Sequence, residues 1–181
     1  MRMLCVQVQT GYLILLENNA YLPLGFLANS QLANVDFAAA GNRFTFQNEL
    51  LKAASGISEN VWISFPMNNL EIHSSNVDIN TQSGAGYASY SATSAGSLYF
   101  TYTADRSGFM CMDLNLSKKN AYTVSKNGVD LYSESYSLPQ MIAVSQVEPG
   151  DTIEVRFTCK KDENGTINVN ACLLDEDLFR Q

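Results

Sequence analysis

The stretch AYTVSKNGVDLYS, residues 121–133, decides the fold of this chain. Apolar and polar residues alternate on both sides of Asn127-Gly128, as they do in strands that bury one face. Asn and Gly accept the positive φ angles that a two-residue hairpin turn requires. The stretch therefore predicts two antiparallel strands joined by a tight turn at Asn127-Gly128.

Two segments further along the chain repeat this pattern. Residues 154–174 read EVRFTCKKDENGTINVNACLL, and Asn164-Gly165 predicts a second hairpin there. Before it, Pro149-Gly150-Asp151 predicts a turn that leads one strand into the next. Short strands with turn residues at intervals of about 8 to 12 residues are typical of sandwiches and barrels. We therefore expect a mainly β fold, an antiparallel β-sandwich of jelly-roll-like type.

The N-terminal third combines strand-like runs with one helix pattern, so we expect one or two short helices there. Residues 5–9 and 12–16 have the composition of strands. TFQNELLKAASG, residues 45–56, predicts a helix that Thr45 caps and that ends at Gly56. An apolar stripe at helical spacing is expected to pack on a sheet. Its members are Phe46, Leu50, Ala53 and Ala54.

The length of 181 residues suits a single domain. We expect residues 1–60 to form a strand, loop and short-helix region that packs on the sandwich. Residues 61–181 are expected to supply the sandwich strands. No linker or internal repeat in the sequence divides the chain further.

Composition and charge restrict the function. Only 16% of the residues are charged, and the net charge is −7. Nucleic-acid binding depends on basic patches that contact phosphates, so we expect no nucleic-acid partner. The apolar run at residues 12–16 is much shorter than the roughly 20 residues of a membrane-spanning helix. We therefore expect the chain as given to fold in water.

No residue pattern indicates an active site. His73 is the single histidine, and no nucleophile turn of a Ser-His-Asp enzyme accompanies it. It is expected to be an exposed strand residue on the face opposite Ile72. Acidic residues cluster in turns, where a solvated surface explains them. We expect no catalytic residue, no cofactor and no metal. The turn carboxylates at residues 76–80 and 148–151 are weak candidates for a calcium site, and no EF-hand spacing supports them.

The cysteines at positions 5, 111, 159 and 172 lack the CxxC spacing of zinc or redox sites. Cys159 and Cys172 flank the predicted second hairpin. A disulfide between them is therefore one interpretation, and two buried thiols are the other.

Tyrosines are spread through the predicted strands. Exposed aromatic rings can stack on sugars, whereas half-buried strand tyrosines only pack and reach water with the hydroxyl. The sequence leaves both interpretations open and assigns no sugar-stacking residue. The tyrosines in question are Tyr87, Tyr90, Tyr99, Tyr102, Tyr122, Tyr132 and Tyr136.

Three segments, taken in order, resemble one protein family. They are ENNAYLPLGF at residues 17–26, FTFQNELLKAASG at residues 44–56, and the β region that opens on SLYFTY at residues 97–102. This order resembles the C-terminal part of the YfhO-type bacterial membrane proteins. The motif positions expected to be structural are Glu17, Asn18, Leu22, Pro23, Gly25, Phe26, Gln47, Asn48 and Gly56. Phe44-Thr45-Phe46 departs from the family pattern, which tends to carry a proline and an acidic residue there.

The resemblance implies a function that the residues alone do not indicate. YfhO-type proteins are polytopic membrane proteins similar to multi-helix glycosyltransferases that use lipid-linked sugar donors. They are linked to the glycosylation of cell-envelope polymers such as lipoteichoic acid. The resemblance implies that this chain is the extracytoplasmic C-terminal domain of such a protein, with the catalytic residues in a membrane-embedded part of the same polypeptide. The domain would be a non-catalytic accessory domain, with that membrane part as its partner and an envelope glycopolymer as a candidate ligand.

Two alternatives to the accessory domain remain at this stage. One is an autonomous carbohydrate-binding module of jelly-roll type without an attached transferase. The other is an enzyme in its own right, which would require a cleft with convergent carboxylates or His73. For the segment at residues 17–26, we expect Leu22 and Phe26 to be largely buried, against the helix over residues 46–54.

Overall fold

The computed structural model describes residues 3–9, 12–18, 30–36, 41–82, 86–136 and 139–180, with the backbone alone for residues 3–9, 12–18, 67 and 136. The described helices are α1 (Arg43–Ser55) and α2 (Glu176–Phe179), with 3₁₀ turns at Ser30–Asn34 and Met67–Asn69. The described strands are β1 (Met3–Gln9), β2 (Tyr12–Asn18), β3 (Trp62–Ser64), β4 (Leu70–Ser75), β5 (Asp78–Thr81), β6 (Tyr87–Ala92), β7 (Gly96–Thr103), β8 (Gly108–Leu116), β9 (Asn120–Lys126), β10 (Val129–Tyr136), β11 (Gln140–Val147), β12 (Thr152–Cys159) and β13 (Glu163–Leu174).

The strands build two larger antiparallel sheets. The five-stranded sheet has the order β10-β9-β12-β7-β4. The six-stranded sheet has the order β11-β8-β13-β6-β5, with β3 also paired to β13. The strands predicted at residues 5–9 and 12–16 form a separate antiparallel hairpin, β1-β2. The predicted antiparallel β-sandwich with few helices is confirmed, whereas the division of the chain at residue 60 stays a prediction.

The core lies between the two larger sheets, because their strands bury every second residue. In β7, Leu98, Phe100 and Tyr102 are fully buried, which confirms the alternation predicted for that segment. Phe100 meets Phe157 of β12 edge to face, with ring centroids 5.7 Å apart. The Tyr102 hydroxyl donates to the backbone carbonyl of Val169 in the opposite sheet at 3.0 Å. The aromatic contact packs neighbouring strands of one sheet, and the buried hydrogen bond joins the two sheets.

Two of the predicted turns are confirmed. Asn127 and Gly128 have φ angles of 51° and 78° and connect β9 to β10 as a two-residue hairpin. Gly150 has a φ of 92°, and the Asp151 N–H donates to the Glu148 carbonyl at 2.9 Å. This second turn carries the chain from β11 in the six-stranded sheet to β12 in the five-stranded sheet.

The hairpin predicted at Asn164-Gly165 is wrong, because both residues lie inside β13. The chain turns earlier, over residues 160–162, where Asp162 adopts a φ of 59°. Gly165 meets a packing requirement instead, since a Cβ there would lie 3.0 Å from the Tyr90 hydroxyl oxygen. As a consequence, β12 and β13 belong to different sheets and do not pair with each other.

The structure also answers the question of the disulfide, because Cys159 lies in the core between the sheets and Cys172 in the small cluster around Phe44. Cys159 lies in the five-stranded sheet and Cys172 in the six-stranded sheet, and both are buried free thiols. Cys111 of β8 is a third buried thiol, opposite Cys172 in the register of β8 and β13. Burial raises the pKa of Cys111 and Cys159 to about 11 and that of Cys172 to about 12. The side chain of Cys5 lies outside the described residues.

The helix α1 begins earlier than predicted. Its N-cap is Asn42 rather than Thr45, because the Asn42 side chain accepts a hydrogen bond from the Thr45 N–H at 2.9 Å. The predicted C-terminal end is confirmed. Gly56 adopts the left-handed conformation with a φ of 82°, and its N–H donates to the Lys52 carbonyl at 2.8 Å.

The buried face of α1 also differs from the predicted stripe. Phe44 and Asn48, one helical turn apart, are the buried residues of the helix. The earlier start of the helix explains the difference, since it adds Phe44 to the face that meets the sandwich. The predicted stripe residues are only half-buried, and they are Phe46, Leu50, Ala53 and Ala54.

Candidate functional site

The helix α1 lies on the outer face of the six-stranded sheet. The Phe44 ring lies 5.1 Å from the Trp62 ring, measured between centroids. The Arg43 guanidinium forms an ion pair with the Asp113 carboxylate of β8, and Asp113 is buried. Phe44 forms a small second core with buried and half-buried neighbours, which are Cys111, Cys172, Trp62, Phe109 and Met141.

The motif residue Asn48 joins α1 to β3 through its side-chain amide. Its Nδ2 donates to the Trp62 carbonyl and its Oδ1 accepts from the Trp62 N–H, both at 2.8 Å. The neighbouring Gln47 points its Nε2 at the Met141 sulfur at 3.2 Å. Together with the helix end at Gly56, these contacts place the middle motif in the attachment of the helix to the sandwich.

The first motif falls largely outside the described residues. Glu17 and Asn18 form the end of β2, where the predicted strand closes. The remaining motif residues of this segment, and with them the predicted burial of Leu22 and Phe26, lie outside the described residues. They are Leu22, Pro23, Gly25 and Phe26.

The outer face of the five-stranded sheet carries a row of side chains that crosses all its strands. We call it the Tyr99 row. Adjacent members are register partners, so the row runs straight across β4, β7, β12, β9 and β10. Because strands alternate, these side chains point away from the core residues Leu98 and Phe100. In strand order, the row consists of His73, Tyr99, Arg156, Thr123 and Ser133.

His73 and Tyr99 form a stacked pair within this row. Their ring centroids are 4.6 Å apart, and their planes differ by 5°. His73 is exposed and lies opposite Ile72, as predicted. Because β4 is the edge strand, His73 covers the ring face of Tyr99 that is turned to the sheet edge. The other ring face of Tyr99 is turned to the middle of the sheet.

Arg156 is the cation beside this ring. It is half-buried, and within the described part of the chain its guanidinium has neither an ion pair nor a hydrogen bond. A parallel row beside it contains Glu71, Thr101 and Glu154 as register partners. The Thr101 Oγ1 is buried and makes no hydrogen bond. The face therefore offers an aromatic ring, a cation, two carboxylates and hydroxyl groups on rigid strands.

Several acidic side chains have structural contacts. The Glu163 carboxylate accepts from the Tyr90 hydroxyl at 3.0 Å and from the Lys160 N–H at 2.8 Å. Burial raises the pKa of Tyr90 to about 12. Over the described ranges, no three His, Cys, Asp or Glu side chains are grouped to hold a metal ion, residues 76–80 included.

The tyrosines divide between the core and the outer faces. Tyr90, Tyr102 and Tyr122 are buried core residues. Tyr87 and Tyr99 are half-buried on outward-facing strand positions, in different sheets. The half-buried Tyr132 donates its hydroxyl to the Ala143 carbonyl at 2.9 Å, and the side chain of Tyr136 lies outside the described residues. Sequence reasoning missed Arg156, Arg43 and Asp113, and only for Arg156 did strand alternation offer a signal.

These observations define a β-sandwich domain in which a helix covers the outer face of one sheet, while the outer face of the other carries polar side chains that no described element covers. The family model described as "Bacterial membrane protein YfhO" matches residues 3–179, and the chain belongs to this family. No helix in the described ranges has the length and apolar character needed to span a membrane. No curated protein matches the chain.

Solved structures similar to the chain include two carbohydrate-binding modules. A family 35 module from Clostridium thermocellum has 11% identity and a TM-score of 0.41, covering 61% of this chain and 96% of its own. TmCBM61, solved with β-1,4-galactotriose, has 11% identity and a TM-score of 0.41, covering 59% of this chain and 89% of its own. The insecticidal crystal protein Cry2Aa has 10% identity and a TM-score of 0.41, and the match covers 64% of this chain and 22% of Cry2Aa. This likeness concerns the fold alone.

Proposed function

We propose that this chain is a non-catalytic, extracytoplasmic accessory domain of a YfhO-type membrane protein that glycosylates cell-envelope polymers. Its partner is the membrane-embedded part of the same polypeptide, which carries the catalytic residues. Membership of the bacterial membrane protein family supports this proposal. Outward-facing Glu, Arg and Thr side chains on the open sheet support an aqueous location, because lipid would leave them unsolvated.

The observation that supports the non-catalytic role is that several described carboxylates away from the Tyr99 row have fixed structural contacts. Asp113 is paired with Arg43, and Glu163 accepts hydrogen bonds from Tyr90 and Lys160. Asp151 is held by Lys126 and by neighbouring amide groups. Carboxylates committed to fixed contacts of this kind stabilise a fold and are not free to exchange protons with a substrate.

The non-catalytic role is tested with the chain and the full membrane protein side by side. The full protein in proteoliposomes is expected to transfer sugar from a lipid-linked donor, whereas the 181-residue chain alone is expected to transfer none. Sugar transfer by the chain alone would overturn the proposal.

The extracytoplasmic location is tested by labelling a new cysteine in the full protein. Ser94 is exposed in the bend between β6 and β7, and the described natural cysteines are buried. In intact cells, a membrane-impermeant maleimide is expected to label the Ser94→Cys protein above the level of the unsubstituted protein. Labelling that requires permeabilised cells would place the domain on the cytoplasmic side.

A second candidate function is an autonomous carbohydrate-binding module. The Tyr99 row favours it, since an outward-facing aromatic ring on a sheet surface is suited to stacking on a sugar. The native gene distinguishes the two functions. Several hundred hydrophobic residues encoded before residue 1 support the accessory domain and exclude the autonomous module.

A further inference from the structure

We propose that the Tyr99 row is a binding site for an uncharged pyranose chain. This inference deepens the proposed function by naming the ligand of the domain. It rests on the proposed function in one respect, the extracytoplasmic location at which the domain binds that ligand. The occupant lies on the middle of the five-stranded sheet, with one sugar ring beside Tyr99 on the side away from His73.

The ring pair supplies the stacking platform. His73 covers one face of Tyr99 at a centroid distance of 4.6 Å and holds the ring at the β4 side of the sheet. On the other side of Tyr99, the row continues through β12, β9 and β10 to the small side chains Thr123 and Ser133. The hydroxyl groups of these two residues are hydrogen-bonded to each other at 2.8 Å, and both side chains are short. A flat ligand can therefore lie across β12, β9 and β10 with one ring stacked on Tyr99.

The polar groups around Tyr99 match the hydroxyl groups of a sugar. The Arg156 guanidinium has its donors free, as the described contacts show, and Arg donors form a planar fork. Glu71 and Glu154 of the parallel row are acceptors without an ion pair in the described structure. The buried, unpaired Thr101 Oγ1 lies in register between these two carboxylates. Vicinal hydroxyl groups donate and accept at once, so they satisfy both kinds of partner.

The charge of this face selects an uncharged ligand over a polyanion. Arg156 is the one full cation in the two rows, whereas Glu71 and Glu154 are two anions. The chain as a whole carries a net charge of −7. A polymer with a phosphate on every unit would be repelled by both the site and the domain. The occupant is therefore a neutral glycan, and a polyglycerol phosphate polymer is an outcome that the test must exclude.

The experiment is calorimetric titration of the 181-residue chain with neutral glycans and one polyanion. The probes are cellohexaose, laminarin, β-1,4-galactan and polyglycerol phosphate lipoteichoic acid. We expect saturable binding to at least one neutral glycan and none to the lipoteichoic acid. Tyr99→Ala is expected to weaken that binding at least about tenfold, and Arg156→Ala about threefold to tenfold.

Matched controls come from outside the row. Tyr87→Ala removes a half-buried outward tyrosine from the other sheet, and Arg106→Ala removes an exposed arginine in a turn. Both are expected to bind as the unsubstituted chain does, and near-unchanged unfolding curves show that each variant is folded. If Tyr99→Ala does not fold, Arg156→Ala decides alone.

Three results overturn the inference. They are no binding to any neutral glycan, binding to the lipoteichoic acid alone, and binding that survives Tyr99→Ala and Arg156→Ala in folded protein. None of these results changes the expected labelling of Ser94→Cys in cells. The proposal on the ligand and the proposal on the location can therefore be refuted independently.

Discussion

The side chain of Asn48 forms two hydrogen bonds with the backbone of one residue, Trp62. Its amide donates to the carbonyl and accepts from the N–H of that residue, each at 2.8 Å. The asparagine amide thereby pairs with the Trp62 backbone as a neighbouring strand would, at the point where α1 contacts β3. Asn48 is 6% exposed, so water does not replace these bonds when the side chain is changed.

We expect Asn48→Asp to lower the free energy of unfolding by about 2–3 kcal/mol. The carboxylate still accepts from the Trp62 N–H, but it faces the Trp62 carbonyl without a donor. Urea unfolding followed by tryptophan fluorescence measures the change, since Trp62 is the single tryptophan. Gln47→Glu is the control, because Gln47 is half-buried and its Nε2 donates to the Met141 sulfur, which is a weak acceptor. Equal losses in the two variants would contradict the role given to Asn48.

The ion pair between Arg43 and Asp113 leads to a second prediction. Arg43→Met leaves the buried Asp113 without its cation, and we expect the free energy of unfolding to fall by about 1–3 kcal/mol. The loss is smaller than for a fully buried pair, because the Arg43 side chain is 41% exposed. Arg180→Met is the control, since the Arg180 side chain is 74% exposed in its pair with Glu176 and surface pairs contribute less than about 1 kcal/mol. Chemical denaturation of both variants should rank them in this order, and the reverse order would refute the anchoring role.

The Asp151 carboxyl predicts a specific acid sensitivity. Hydrogen bonds from Lys126, Asn127 and the Glu148 N–H lower its pKa from 3.8 to about 2. A lowered pKa in the folded state stabilises the fold fully above the ordinary value, and this stabilisation is lost as the pH falls toward 2. We expect the thermal midpoint to drop between pH 4 and about 2, and to drop less in Asp151→Asn. Differential scanning calorimetry across this pH range makes the comparison.

The control for this acid effect is Asp162→Asn. Asp162 lies exposed in the turn before β13, and its carboxylate lies 4.0 Å from the ammonium of the exposed Lys161. Asparagine also accepts the left-handed backbone found there. In Asp162→Asn the thermal midpoint should fall as far as it does in the unsubstituted chain. An equally reduced fall in both variants would show that Asp151 is not the cause.

The buried thiols predict low reactivity at neutral pH. Burial raises the pKa of Cys111 and Cys159 to about 11 and that of Cys172 to about 12, so little thiolate forms. Maleimide followed by peptide mass spectrometry is expected to leave these three positions unlabelled in the native chain and to label them in urea. A peptide that links Cys159 to Cys172 would show that the sandwich is assembled differently.

Local turn chemistry explains which parts of the fold were predictable. Asn127-Gly128 and Pro149-Gly150-Asp151 form turns because their φ requirements are local. Asn164-Gly165 has the same local signal but does not turn, since the turn at residues 160–162 is closed by a bond from the Lys160 N–H to Glu163. Gly165 instead packs closely against Tyr90, and the residues next to Gly165 in the sequence do not predict this contact.

The candidate site depended on pairing between distant strands. His73, Tyr99 and Arg156 come together because β4, β7 and β12 are neighbours in one sheet, although they are far apart in the chain. Alternation within each strand placed His73 and Tyr99 outward, but register decides that their rings stack. The ion pair of Arg43 with Asp113 spans 70 positions and was missed for the same reason.

The pairing of β13 has a consequence for the timing of folding. This strand hydrogen-bonds to β3, β6 and β8, and all three precede it in the chain. During synthesis, the middle of the six-stranded sheet therefore stays open until residues 163–174 have emerged. The strands β3, β6 and β8 leave the ribosome before their shared partner, so the pairing of the six-stranded sheet is completed only at the end of synthesis.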